Sequence, residues 1–256
     1  MPAAASAAQF AALGPVDGAW VFIASPVHYV AATSSVQLPA DGILRLEPPE
    51  AELLAGEFNR LWRGAGARLV AGRGGSLYCV FDEPMRAATQ DPEAALGRDI
   101  GVFLPTGADA PPLRRMMSEM EMWLFEHAVN KVRMARGAAP VSGLWLWGGG
   151  ATLRALPPLQ GWTAGHDAFF GAFPMQTQFP RGAGAGVVVL NERPGSPEWP
   201  EAERRWIRPA LAELRAGRIA QVKVSAADRC HALSARWSWR FWRQARPWWE
   251  SFGDND

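Results

Sequence analysis

The sequence predicts a mixed α/β (α+β) protein of two lobes. Three observations predict it. The first 81 residues run in the order strand, helix, hairpin. A long amphipathic repeat then follows a Pro-Pro pair. Finally, 48% of the 256 residues are apolar and 20% charged, enough for a sizeable core and unlike a disordered chain. The first lobe is expected over residues 15–150. A smaller, Trp-rich lobe covers 151–256 and ends in an aromatic and basic tail.

The elements follow from local chemistry. Residues 1–18 are Ala-rich and read as a loose lead-in. Residues 19–24 and 27–32 are rich in β-branched and aromatic side chains and predict strand, broken at Pro26. Residues 48–62 open with two prolines and place Leu53, Leu54, Phe58, Leu61 and Trp62 at helical spacing. Residues 67–71 and 77–81 predict a hairpin around the Gly-rich turn 72–76. Residues 85–109 read as irregular. After Pro111-Pro112 one helix is expected from about Leu113 to Arg136, with Leu113, Met116, Met117, Met120, Leu124 and Ala128 as its apolar stripe and Gly137 as its stop. Residues 143–147 predict a short buried strand ending at Gly148-Gly149-Gly150. Beyond it the pattern predicts a loop over 151–161, a short helix near 165–173, and a strand at 187–191. A helix over 197–216 and a closing hairpin (218–225 with 231–236) complete the second lobe.

Composition excludes several function classes. There are 26 basic and 25 acidic residues, a net charge of +1, which argues against nucleic-acid binding by bulk charge. Two cysteines allow one disulfide but no disulfide framework and no Cys-rich zinc motif. The N-terminus lacks the basic and apolar regions of a secretory signal, and no apolar window is long enough for a span. A cytoplasmic protein without a membrane span is therefore expected. Lys131 and Lys223 are the only lysines, which with abundant Ala, Gly and Pro reads as coding bias.

Candidate chemistry centres on His127, Asn130 and Arg133. Their spacing of three puts them in a drifting row along one helix edge. Such a row could hold a phosphate or carboxylate. Equally, it could satisfy neighbouring backbone and brace the loop at 137–142. Gly148, Gly149 and Gly150 could offer backbone N–H groups to an anion or simply make a tight turn. No Lys-Ser or Lys-Thr follows them, so they are not a P-loop. The glycines at 182–186 precede their strand and do not match a dinucleotide fingerprint. The four histidines, His28, His127, His166 and His231, are widely spaced. Only His166-Asp167 pairs a histidine with an acid, and no metal motif is present, so neither a metal nor a cofactor is assigned. Cys230 and His231 would point to opposite faces of a strand. The tail 236–246 interleaves Trp with Arg. It reads as a closing strand, as a surface for a membrane or protein partner, or, least in keeping with the neutral charge, as a base-stacking segment.

Residues 117–150 carry a resemblance. Glu126, His127, Val129 and Asn130, then Arg133, Gly137, Pro140 and Val141, then Leu144, Trp145, Trp147 and Gly148–Gly150 match the motifs E-H-P-V-N, R-x-x-x-G-x-x-P-V-N and L-W-x-W-G-G-G. This resembles the bacterial RpfE-type regulatory protein family, also labelled phosphoglycerate mutase-like. Ser25-Pro26-Val27-His28, residues 97–107 and residues 239–243 extend the likeness over nearly the whole chain. A more distant similarity is to the substrate domain of archaeal-type cofactor-independent phosphoglycerate mutases, in the alkaline phosphatase superfamily. The chain departs at Ala128, where the family has Pro, at Ser142 for Asn, and at Trp147 for an Arg before the glycines. That superfamily uses two metals held by Asp and His and a Ser or Thr nucleophile. Here only Asp228 and His231 follow Asp167 before the acidic C-terminus. The resemblance thus implies a non-catalytic regulatory or phospho-ligand-binding protein, its anion site near His127, Asn130, Arg133 and Gly148–Gly150. Two alternatives stand beside it: a metal-dependent phosphoglycerate mutase or phosphatase, and an interaction module that captures a protein through the tail.

Overall fold

The computed structural model describes residues 4–32, 35–155, 158, 160–165, 173, 175–180, 184–190, 196–226 and 229–234. They fall into two units: Met1–Pro158 with Asp167–Phe173, and Leu159–His166 with Pro174–Asp256.

The first unit begins with α1 (Ala4–Leu13), where the sequence suggested a loose lead-in. Ten residues without Gly or Pro, six of them Ala, carry high helix propensity. Tertiary packing completes the helix: Ala5 and Ala8 are buried against Val21, Tyr78 and Val80, and Tyr78 donates to the Ala8 carbonyl at 3.1 Å.

Strand β1 (Trp20–Val27) runs straight through Pro26. The expected break does not occur, because of the direction Pro26 faces. Its carbonyl accepts from Leu44 N at 2.8 Å, so its nitrogen lies on that same side, away from the neighbouring strand, and no ladder bond is lost. Strands β2 (Val30–Ala31) and β3 (Val36–Leu38) follow, then α2 (Pro48–Leu61) as expected. The hairpin β4 (Ala67–Ala71) and β5 (Leu77–Phe81) also matches the sequence reading. Short pieces β6 (Ala87–Ala88), β7 (Arg98–Asp99) and β8 (Thr106–Gly107) lie in the stretch read as irregular. β7 joins β2 and β3 in a small sheet, and β6 pairs with β8.

The long helix is in fact two, α3 (Ala110–Phe125) and α4 (Ala128–Ala135). His127 is extended at the break (φ −64°, ψ 144°) and caps α4, its Nδ1 accepting from Val129 N at 3.1 Å. The break rephases the buried face: Ala128 is exposed, and Val129, Asn130 and Arg133 point inward. The Pro of the resembling motif would sit at Ala128, the first helical position, where Pro is favoured.

Strand β9 (Gly143–Ala151) continues through the glycines instead of ending before them. Against β1 the register shifts between Trp147↔Ile23 and Gly150↔Val21, a bulge with Gly148 at φ 69°. The main sheet is antiparallel in the order β4-β5-β1-β9. One face (Phe22, Ala24, Leu77, Cys79, Leu144, Leu146) packs under α2 and α3. The opposite face receives α1. With both faces covered, all five residues of β5 are buried, which explains its unbroken apolar run.

The second unit holds a parallel pair, β10 (Trp162–Gly165) and β11 (Gly186–Val189). β10 is not among the strands the pattern predicts: it begins just after the expected loop over 151–161, and its last residue, Gly165, is where a short helix was expected to start. α5 (Trp199–Ala202) passes through a π-helical turn, Glu203–Ile207, into α6 (Arg208–Arg215), stopped by Gly217 at φ 69°. A hairpin of β12 (Gln221–Ala226) and β13 (Arg229–Ser234) follows, as the pattern predicted. The Trp-rich tail from residue 235 on lies outside the described residues. Among these no helix is long and apolar enough to cross a membrane.

Candidate functional site

The start of α4 spends its polar groups on the protein itself. His127 Nδ1 accepts in the cap, so the ring proton is on Nε2, which donates to Glu57 of α2 at 2.9 Å. Trp123 lies edge-on to the imidazole at 4.8 Å between centroids. Asn130 Nδ2 donates to the carbonyls of Leu124 (2.7 Å) and Val141 (2.9 Å), and its Oδ1 accepts from Val141 N at 2.7 Å. Both side chains are buried and tie the helix break to α2 and to the segment before β9.

Arg133 is used differently. Its Nε donates to Ala139 O at 2.8 Å, and its Nη1 to Glu50 Oε2 at 2.8 Å and to Arg45 O at 3.3 Å. Among the described residues its Nη2 has no hydrogen-bond partner. Arg136 bridges Glu50 Oε1 at 2.6 Å and Glu47 Oε1 at 2.9 Å. Glu47 and Glu50 belong together because Glu47 N donates to Glu50 Oε2 at 2.9 Å across the start of α2. Arg45, Leu46, Glu47, Arg133, Arg136, Gly137 and Ala138 line an open surface depression of about 500 Å³. The Arg45 guanidinium makes no ion pair among the described residues.

Of the residues singled out in the sequence, Arg133 therefore reaches this depression, whereas His127 and Asn130 do not line it. Gly148–Gly150 sit in the bulge of β9. A Cβ at Gly149 would overlap the Phe22 ring and crowd the Trp20 indole, so this glycine serves close packing. Sequence reasoning missed Arg45, Glu47, Glu50 and Arg136. The acids flanking Pro48-Pro49 were a legible helix-start signal. Their pairing with α4, some 85 positions further on, was not.

Among the described residues the remaining candidates do not gather. His28 Nδ1 stands 3.0 Å from Pro140 O, and His166 and Asp167 lie outside the described residues. Burial pushes the Glu121 carboxyl upward, and burial together with Glu121 raises the Tyr29 hydroxyl well above its usual range. Cys79 and Cys230 are both free, and burial pushes the Cys79 thiol up to about 12. Among the described residues no three of His, Cys, Asp and Glu converge as a metal centre needs, so these residues do not fit a two-metal set.

No family model matches the chain. A curated protein does: over 85 residues it is 38% identical to the 2,3-bisphosphoglycerate-independent phosphoglycerate mutase of Methanothrix thermoacetophila. The chain is distantly similar to the cofactor-independent phosphoglycerate mutases. The match takes in 33% of this chain and 22% of that mutase, so the chain corresponds to under a quarter of its relative's length. Among solved structures, the cofactor-independent phosphoglycerate mutase of Thermoplasma acidophilum aligns with a TM-score of 0.46 at 16% identity, over 67% of this chain and 49% of that one. The PH0037 protein of Pyrococcus horikoshii aligns at a TM-score of 0.36 and 16% identity, over 71% and 43%.

Proposed function

We propose that this chain binds a small phosphorylated ligand in the Arg45–Arg133–Arg136 depression and does not turn it over. The observation that carries the reading is the Arg45 guanidinium, exposed and without an ion pair among the described residues, in a depression that Arg133 and Arg136 also line. Arginine presents a planar fork of donors matched to phosphate oxygens. The two glutamates oppose binding only weakly, since Arg136 and Arg133 Nη1 already engage their oxygens. Similarity to a phosphoglycerate mutase supports phosphoglycerates as the first ligands to try. The binding-only role is supported by the shortage of Asp and His after Asp167. Occupancy rather than turnover would then carry a regulatory role, as the resemblance to the RpfE-type family implies.

Thermal unfolding with 2-phosphoglycerate, 3-phosphoglycerate and inorganic phosphate tests this. At about 100 times its dissociation constant a ligand adds about 2.7 kcal/mol to stability. The shift should vanish in Arg45→Ala, whose unliganded melting should match the wild type because the side chain is exposed. No shift with any of the three refutes the site. Interconversion of the two phosphoglycerates, or phosphate release from them, with Mn²⁺ present would refute the binding-only role.

A further inference from the structure

We infer that the second unit carries a separate site for a nucleotide, with Arg205 as its phosphate anchor and Phe179 as its stacking wall. The helical stretch from Trp199 to Arg215 presents Glu201, Arg204, Arg205, Arg208 and Ala212 along one face. With Phe179, Glu213 and Arg218 this face lines a groove of about 1180 Å³. That size accommodates a nucleotide-sized ligand.

Four guanidinium groups line the groove, and three are neutralised locally. Arg204 pairs with Glu201, Arg208 with Glu203, and Arg218 with Glu213. Arg205 has no carboxylate among the described residues. Its Nε donates to the Thr177 carbonyl, and its guanidinium carbon stands 5.5 Å from the centroid of the Trp206 ring. One bond and one aromatic contact fix its orientation, and both terminal nitrogens stay available for a bidentate phosphate contact.

The helix is shaped for this. Pro209 lacks an N–H, and its ring would crowd the Arg205 carbonyl in a regular α-turn. The chain widens instead into the π-helical turn Glu203–Ile207, with Arg208 N bonded to Glu203 O. Insertions of this kind recur at functional sites. Phe179 lines the same groove. It meets Trp162 in a T-shaped pair at 5.4 Å and 80° and is half-buried. A charge anchor beside a half-buried aromatic ring suits a phosphate joined to a flat base, by base–aromatic stacking.

The test is a titration of the full chain with ADP, AMP, ribose 5-phosphate and pyrophosphate, read by tryptophan fluorescence and calorimetry. Saturable binding of ADP or AMP is expected, weakened about tenfold or more in Arg205→Ala and in Phe179→Leu. Far-UV circular dichroism and the melting temperature of both variants should stay at wild-type values. Arg45→Ala in the first unit should leave nucleotide binding intact, so failure of the phosphoglycerate reading and failure of this one are separable. Binding of pyrophosphate or ribose 5-phosphate as tight as ADP overturns the stacking half. Nucleotide binding that survives Arg205→Ala, or no binding at all, overturns the site.

Discussion

Arg133 and Glu50 meet in the first unit with side chains 5% and 11% exposed, whereas Arg204 and Glu201 meet in the second at 71% and 56%. Both pairs stand beside a hollow lined by guanidinium groups, yet they are held by different means. The first joins α4 to the start of α2 through the core of the fold and cannot be loosened without exposing a buried charge. The second is set by the spacing of three residues on one helix, and water competes for both partners. A buried pair therefore works as scaffold and fixes the positions of its neighbours. An exposed pair costs little to exchange for a new anion.

The largest break in this comparison should come from Glu50→Ala. It leaves Arg133 buried without its carboxylate and removes a partner of Glu47 N, an expected loss of about 3–5 kcal/mol in urea unfolding. Glu201→Ala, the matching change in the second unit, should cost less than about 1 kcal/mol. Equal losses at the two sites would refute the contrast. Next is Asn130→Ala, which removes the side-chain partner of Val141 N and Val141 O, while Leu124 O keeps its bond from His127 N, and should cost about 2 kcal/mol. A neutral result would mean that water or the backbone re-satisfies them. Gly149→Ala should cost about 1–3 kcal/mol, because the new methyl group must displace the Phe22 ring. The smallest effect is electrostatic. Burial raises the Glu121 carboxyl in the fold, so its contribution to stability is fully present below the ordinary glutamate range and is lost as pH rises through the raised value. Glu121→Gln should accordingly be slightly more stable than wild type at neutral pH, with the difference closing in acid. A difference independent of pH would assign it to packing.

Local elements were largely legible. The hairpin at 67–81 and the helix at 48–61 have their own punctuation in Gly and Pro, and their boundaries came out within a residue or so. The break at His127 was half visible. The helical repeat argued for continuity, while the family pattern of Pro at position 128 argued for a new start. Sequence could not decide it, because the cap is completed by the His127 imidazole and held by Glu57, 70 positions earlier. The glycines at 148–150 misled for a related reason. Glycine permits a turn, an anion nest or a bulge alike, and only the Phe22 and Trp20 rings pressing on Gly149 select the bulge.

The sequence by itself determined the class of fold, most of the principal elements, and the buried Leu54 and Phe58 of α2 and Leu113, Met117, Met120 and Leu124 of α3, whereas Leu53 and Leu61, read in the same stripe of α2, are exposed. These depend on periodicity and on residues within a turn or two of one another. The tertiary structure alone decided that α1 packs on the sheet, that Pro26 stays in its strand, and which member of the His–Asn–Arg row reaches a hollow. Each of those outcomes is set by a partner far along the chain. A hydrogen-bonding side chain does not specify its partner until the fold brings donors and acceptors within about 3 Å.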